Sequence, residues 1–139
     1  MIKSIAHICI LTRDLDACER FYCGALGLNK KFDFLRNGSV FGFYVEINDH
    51  NFIEIFLEND ERPLEAAKPT VMHFCLEVDD IDATINDIRI AGIEVTDKKL
   101  GSDRSWQAWL KDPNEVRIEL HQYTDQSSQR LGTNCTVNW

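Results

Sequence analysis

"HICILTRDLDACERFYCGALGL" (7–28) and "HFCLEVDDIDATINDIRIAGI" (73–93) are two versions of one pattern. His7 aligns with His73, Cys9 with Cys75 and Ile10 with Leu76, while Asp14-Leu15-Asp16-Ala17 aligns with Asp80-Ile81-Asp82-Ala83. Gly27 meets Gly92 after a one-residue slip, so the offset is 66 residues at the start and 65 at the end. Continued at 65, Ile53-Glu54-Ile55 falls on Ile118-Glu119-Leu120. A fixed offset of this kind marks one supersecondary unit used twice.

Each copy reads as strand, helix, then three strands. "SIAHICIL" alternates and is rich in β-branched residues, so it reads as a strand. Asp14 is a plausible N-cap, and Leu15, Cys18, Phe21, Tyr22 and Leu26 follow at helical spacing until Gly27 stops the helix. Strands are predicted near 30–35, 40–47 and 51–58, the first two joined by the turn "RNGS". The second copy predicts a strand at 70–78, a helix at 80–91 between Asp80 and Gly92, and strands near 93–98, 105–111 and 116–122, with "KDPNE" turning between the last two. The predicted organisation is one α+β domain over 1–122. Module one spans 3–58, a polar linker with two prolines spans 59–69, and module two spans 70–122. Residues 123–139 form a polar tail to which the sequence assigns no form.

The 139 residues suit one domain, and a 44% apolar share is that of a globular chain with a core to bury. No apolar run approaches the roughly 20 residues of a membrane span. "MIKSIAHICI" lacks the layout of a signal peptide, so no membrane association and a cytoplasmic location are expected. Five cysteines, an odd number without a C-x-x-C pair, argue against a disulfide framework and a thiolate zinc knuckle. They are expected to be mainly small buried residues. The formal charge of −8 argues against nucleic acid as a partner. An anionic substrate would need a local Arg or Lys.

Glu54 lies within the apolar run "NFIEIF", and Glu119 repeats the arrangement within "VRIELH". An ionised carboxylate in such surroundings loses hydration unless a partner offsets the loss. Residues two apart on a strand share a face. His7 thus faces with Cys9, His73 with Cys75, Glu54 with Phe52 and Phe56, and Glu119 with Arg117 and His121. If the copies fold alike, a pseudo-two-fold axis carries the His7–Glu54 pair onto His73–Glu119. Two imidazoles and two carboxylates brought together make a site for one divalent ion: Zn²⁺, Ni²⁺, Co²⁺, Fe²⁺ or Mn²⁺. Four protein ligands leave positions open for water or substrate, as a catalytic site requires. Arg117 either meets an anionic substrate or pairs with a surface carboxylate. His121 is a candidate for substrate binding, for support of the site or for an alternative ligand. Cys9 and Cys75 are either core residues or carry a redox or ligand role.

With these residues in place, the chain resembles the vicinal oxygen chelate superfamily, which includes glyoxalases, bleomycin-resistance proteins and dioxygenases. "RDLDACERFYCGALGL" (13–28) and "DPNEVRIEL" (112–120) are similar to its signatures, and the resemblance covers roughly residues 3–122. It implies an eight-stranded, incompletely closed, barrel-like sheet built from two βαβββ modules around a metal, usually in a homodimer. In several members the modules forming a site come from different chains. Ring-cleaving dioxygenases and fosfomycin-resistance thiol transferases are similar at His7, His73 and Glu119 but do not use the position of Glu54. Drug-sequestering binders of the bleomycin kind lack the metal ligands.

Bacterial glyoxalase I (lactoylglutathione lyase) uses all four, so Glu54 makes it the branch most similar. The implied chemistry is proton transfer alpha to a carbonyl, converting the hemithioacetal of methylglyoxal and a thiol into a 2-hydroxyacyl thioester. Glu119 is the expected base, with Glu54 as ligand and alternative base. The thiol is left open by the sequence.

Overall fold

The computed structural model describes residues 5–58 and 73–135. The expected linker, the first residues of each module and the end of the tail lie outside them. The chain divides into two compact units, Met1–Lys68 and Pro69–Trp139.

In the first unit the β-branched alternation forms β1 (His7–Thr12), with Ile10 and Thr12 buried and His7 and Cys9 exposed on the other face. The Asp14 carboxylate accepts from the N–H of Ala17 (2.9 Å) and starts α1 (Leu15–Glu19). An acceptor at this place satisfies one of the helix's orphan N–H groups. The helix does not continue as the single α-helix predicted. Arg20–Ala25 is a π-turn, closed by the N–H of Leu26 donating to the carbonyl of Phe21. This wider turn holds Phe21 and Tyr22, sequence neighbours that are both buried, with their rings edge to face at 5.0 Å. Strands β2 (Asn29–Arg36), β3 (Ser39–Asn48) and β4 (Asn51–Leu57) complete a sheet of order β1-β4-β3-β2. The β1–β4 pair is parallel and the others are antiparallel. Phe43, Val45, Ile53 and Ile55 are buried on the core face, and α1 packs against β4.

The second unit repeats this plan. Strand β5 (Phe74–Glu77) is followed by α2 (Ile81–Ile90), which Asp80 caps by accepting from the N–H of Ala83 at 3.0 Å. Ile81, Ile85 and Ile88, at i, i+4 and i+7, form its buried stripe. The sheet order is β5-β8-β7-β6, with β6 (Lys99–Leu100), β7 (Trp106–Lys111) and β8 (Arg117–Gln122), and β5–β8 is again the parallel pair. The strand expected near 93–98 is reduced to a single bridge, Val95 to Leu110. Thr96 explains the loss: its N–H donates to the carbonyl of Trp109, but the N–H of Trp109 donates to its hydroxyl at 3.0 Å. A side-chain oxygen has taken the place of a ladder carbonyl. Pairing resumes only at Lys99.

The part of the tail that the structure describes is anchored to this unit. The Ser105 hydroxyl donates to that of Ser127 at 2.9 Å, both residues being fully buried. Gln129 Nε2 donates to Asp103 Oδ2 at 2.6 Å from the short helix α3 (Ser128–Leu131). The cysteine expectation needs correction: of the five, Cys18 alone is buried, while Cys9, Cys75 and Cys135 are exposed. Cys9 and Cys75 lie opposite the core because their alternating neighbours Ile10 and Leu76 take the inward positions. Among the described residues no helix is long and apolar enough to cross a membrane.

Candidate metal-binding faces

Register on β4 places Glu54 beside Cys9 of β1 and Tyr44 of β3, on the face away from the core. Glu54 Oε2 lies 3.3 Å from His7 Nε2, and Tyr44 Oη lies 3.3 Å from His7 Nδ1. The imidazole is therefore held at one nitrogen by a phenol and faces the carboxylate with the other. Burial, followed by the negative charge of Glu54, raises the pKa of Tyr44, which keeps this hydroxyl in its neutral form. Aromatic rings fill the rest of the face. Tyr44 stacks on Phe32 at 4.9 Å and on Phe52 at 5.0 Å, and Phe34 meets Phe56 at 4.7 Å. A register shift after Phe34 lets Phe41 stack on Phe56 at 5.4 Å. The next residue must be glycine: a Cβ on Gly42 would lie 2.5 Å from the carbonyl oxygen of Ile55 and from the Phe56 ring.

The same register on β8 places Glu119 beside Cys75 of β5 and Trp109 of β7. Glu119 Oε2 lies 3.2 Å from His73 Nε2, and the His73 ring meets Trp109 edge to face at 4.9 Å. Trp109 thus stands where Tyr44 stands in the first unit, 65 residues on. The Arg117 guanidinium lies 4.6 Å over the Trp109 ring, so an aromatic face receives it. His121 is buried at 6% exposure, its Nδ1 3.3 Å from Glu119 Oε1. Its Nε2 lies 3.6 Å from Asp103 Oδ2, too far for a hydrogen bond, and is without a partner among the described residues.

The electrostatics of this face are acidic. The Cys75 thiol is pushed up to about 12, first by loss of surrounding solvent and then by Glu119, Glu77 and Asp103. Burial raises the Tyr123 pKa as well, with Glu77 next in effect. Asp103 goes the other way: burial would raise its pKa, but hydrogen bonds from Gln129 and Ser105 outweigh that and lower it.

The structure therefore pairs His7 with Glu54 and, separately, His73 with Glu119. It adds His121 to the second pair and lays Arg117 on Trp109. Tyr44 and Trp109 were missed in the sequence, although the 65-residue offset that relates the glutamates relates them too. Asp103 lies in a turn with no counterpart motif, so nothing in the sequence pointed to it.

A family model, the Glyoxalase/Bleomycin resistance protein/Dioxygenase superfamily, matches residues 4–120. The chain belongs to this superfamily. Its members typically bind a divalent metal, and the paired imidazoles and carboxylates provide suitable donors. A glyoxalase family protein from Enterococcus faecalis is similar in structure, with a TM-score of 0.71, 22% identity and coverage of 86% of this chain and 97% of that one. TnmS3, an antibiotic binding protein from a Streptomyces species, gives 0.72 and 18%, covering 88% and 98%. A lactoylglutathione lyase from Agrobacterium tumefaciens gives 0.64 and 18%, covering 87% and 94%. At these identities the likeness establishes the fold alone. No curated protein matches the chain.

Proposed function

We propose that His7, Glu54, His73 and Glu119 are ligands for a divalent metal, and that the protein is a glyoxalase I-like lyase or isomerase. The observation that supports this is the His–Glu pair formed twice, at 3.3 Å and 3.2 Å, at repeat-equivalent positions. These separations suit adjacent ligands, since two bonds of about 2.1 Å at right angles place their donor atoms about 3 Å apart. The donor set suits Zn²⁺, Ni²⁺, Co²⁺, Fe²⁺ or Mn²⁺.

When bound, the cation supplies Lewis-acid polarisation of the substrate carbonyl and offsets the negative charge that develops on its oxygen. The protein's own groups move the proton. Glu119 takes it from the carbon alpha to the carbonyl of a 2-oxoaldehyde hemithioacetal and returns it to the neighbouring carbon, giving a 2-hydroxyacyl thioester. Glu54 is the alternative base. His121, against Glu119 Oε1, holds the carboxylate in one orientation, and Tyr44 does the same for the His7 ring. Arg117, exposed on Trp109, meets a negative group of the substrate. The same reading makes the protein a cytoplasmic homodimer acting on a small molecule.

Elemental analysis of protein purified without chelator, followed by a hemithioacetal isomerase assay with Zn²⁺, Ni²⁺, Co²⁺ or Mn²⁺ restored, tests the proposal. The expected outcome is one metal per site with turnover. Metal without turnover would move the substrate search to other vicinal oxygen pairs. No metal would favour a second reading, a drug-binding protein, which the stacked aromatic face of the first unit and the likeness to an antibiotic binding protein support.

A further inference from the structure

Glu119 has two oxygens with different neighbours. Oε2 faces His73 at 3.2 Å, and Oε1 faces His121 at 3.3 Å. The proposed ligand set accounts for the first contact, while the second, to His121, lies outside it. His121 is buried, yet its Nε2 makes no hydrogen bond among the described residues, an arrangement that costs free energy unless something satisfies the ring. Cys75 stands directly opposite Glu119 on the neighbouring strand. Ligand atoms of Cys75, Glu119 and His121 all lie within 4.8 Å of one another. Bonds of about 2.0–2.3 Å hold ligand atoms about 3–4 Å apart, so small side-chain rotations close the set around an ion.

We infer that Cys75 Sγ, Glu119 Oε1 and His121 form a second metal site on the sheet of the second unit, for a thiophilic divalent cation such as Zn²⁺. A thiolate, an imidazole and a carboxylate select this class over Mg²⁺ or Ca²⁺. Cys75 binds as the thiolate and its proton leaves to solvent. Asp103 lies beyond Nε2 at 3.6 Å, held by Gln129 and by the N–H of Ser105, and a small turn of the ring toward the ion would bring it within hydrogen-bond reach. The first unit has no twin of this site. The residues equivalent to Cys75, Glu119 and His121 there are Cys9, Glu54 and Phe56, and a phenyl ring offers no donor. The inference shares Glu119 with the proposed function but needs neither His7 nor Glu54.

Cobalt distinguishes the two sites, because thiolate ligation gives a near-ultraviolet sulfur-to-cobalt charge-transfer band that imidazole and carboxylate ligands do not. The full chain is stripped with chelator and titrated with Co²⁺ as wild type, as Cys75→Ser, as His121→Phe and as the double variant His7→Ala/Glu54→Gln. The expected result is a band in the wild type and the double variant, its loss in Cys75→Ser and His121→Phe, and its displacement by Zn²⁺. Near-ultraviolet circular dichroism verifies that each variant is folded; should His121→Phe fail to fold, His121→Gln takes its place. No band in the wild type, or a band that survives Cys75→Ser, overturns the inference. Cobalt bound without the band leaves the four-ligand proposal standing and removes this one. A band unaffected by His7→Ala/Glu54→Gln, with no cobalt lost, does the reverse.

Discussion

On β4, Glu54 stands between Phe52 and Phe56; at the same place in the second unit, Glu119 stands between Arg117 and His121. The strand order, the helix caps and the buried Ile53 and Ile118 match between the two units. What differs is the face away from the core. In the first unit it is a stack of aromatic rings around one imidazole–carboxylate pair, and in the second it is polar and acidic, with a second imidazole against the carboxylate. The difference shows where the constraint lies. A one-residue slip would turn every core side chain outward, so the inner face fixes the register. The outer face inherits its geometry from that register and is free to diverge in chemistry. Divergence gives two similar carboxylates different environments.

The largest effect is expected where the outer faces differ. Glu119→Gln should lower hemithioacetal turnover by about 10²–10⁴-fold, with a smaller loss for Glu54→Gln. Steady-state kcat values at saturating metal decide the point, and a reversed order would assign the base to the first unit. On the inner face the units should respond alike. Ile53→Ala and Ile118→Ala, both at fully buried positions, should each destabilise the protein by about 2–5 kcal/mol in denaturant unfolding. A large cost in one unit and almost none in the other would break the equivalence of the cores. The smallest expected change is at the caps. Asp14→Ala and Asp80→Ala should each cost about 1 kcal/mol. Because Asp14 leads into a five-residue α-helix and Asp80 into one of ten residues, the melting temperatures of this pair sharpen how far the first helix depends on its cap.

Much of the scaffold was legible because it rests on local chemistry. Alternation of apolar residues placed seven of the eight strands. Asp14 and Asp80 marked two helix starts, and the 65-residue offset tied Glu54 to Glu119 before any contact was known. The errors came where a local pattern met a competing partner. Thr96 offered its hydroxyl to Trp109 and cut short the strand expected at 93–98. Two adjacent aromatic residues, Phe21 and Tyr22, were accommodated by a π-turn rather than a continuous α-helix. Cys9 and Cys75, small and apolar enough for a core, faced outward because the phase of their strands was already set by Ile10 and by its counterpart Leu76.

The sequence by itself determined the repeat, the α+β class, the pairing of each histidine with a glutamate and their common face, since strand periodicity and a fixed offset are one-dimensional facts. Only the tertiary structure decided what surrounds each pair. That His121 turns onto Glu119 Oε1, that a turn supplies Asp103 behind it, and that Tyr44 and Trp109 stand at the matching histidines depend on distances between segments far apart in the chain. Such distances follow from packing and register across a sheet, which no stretch of sequence encodes alone.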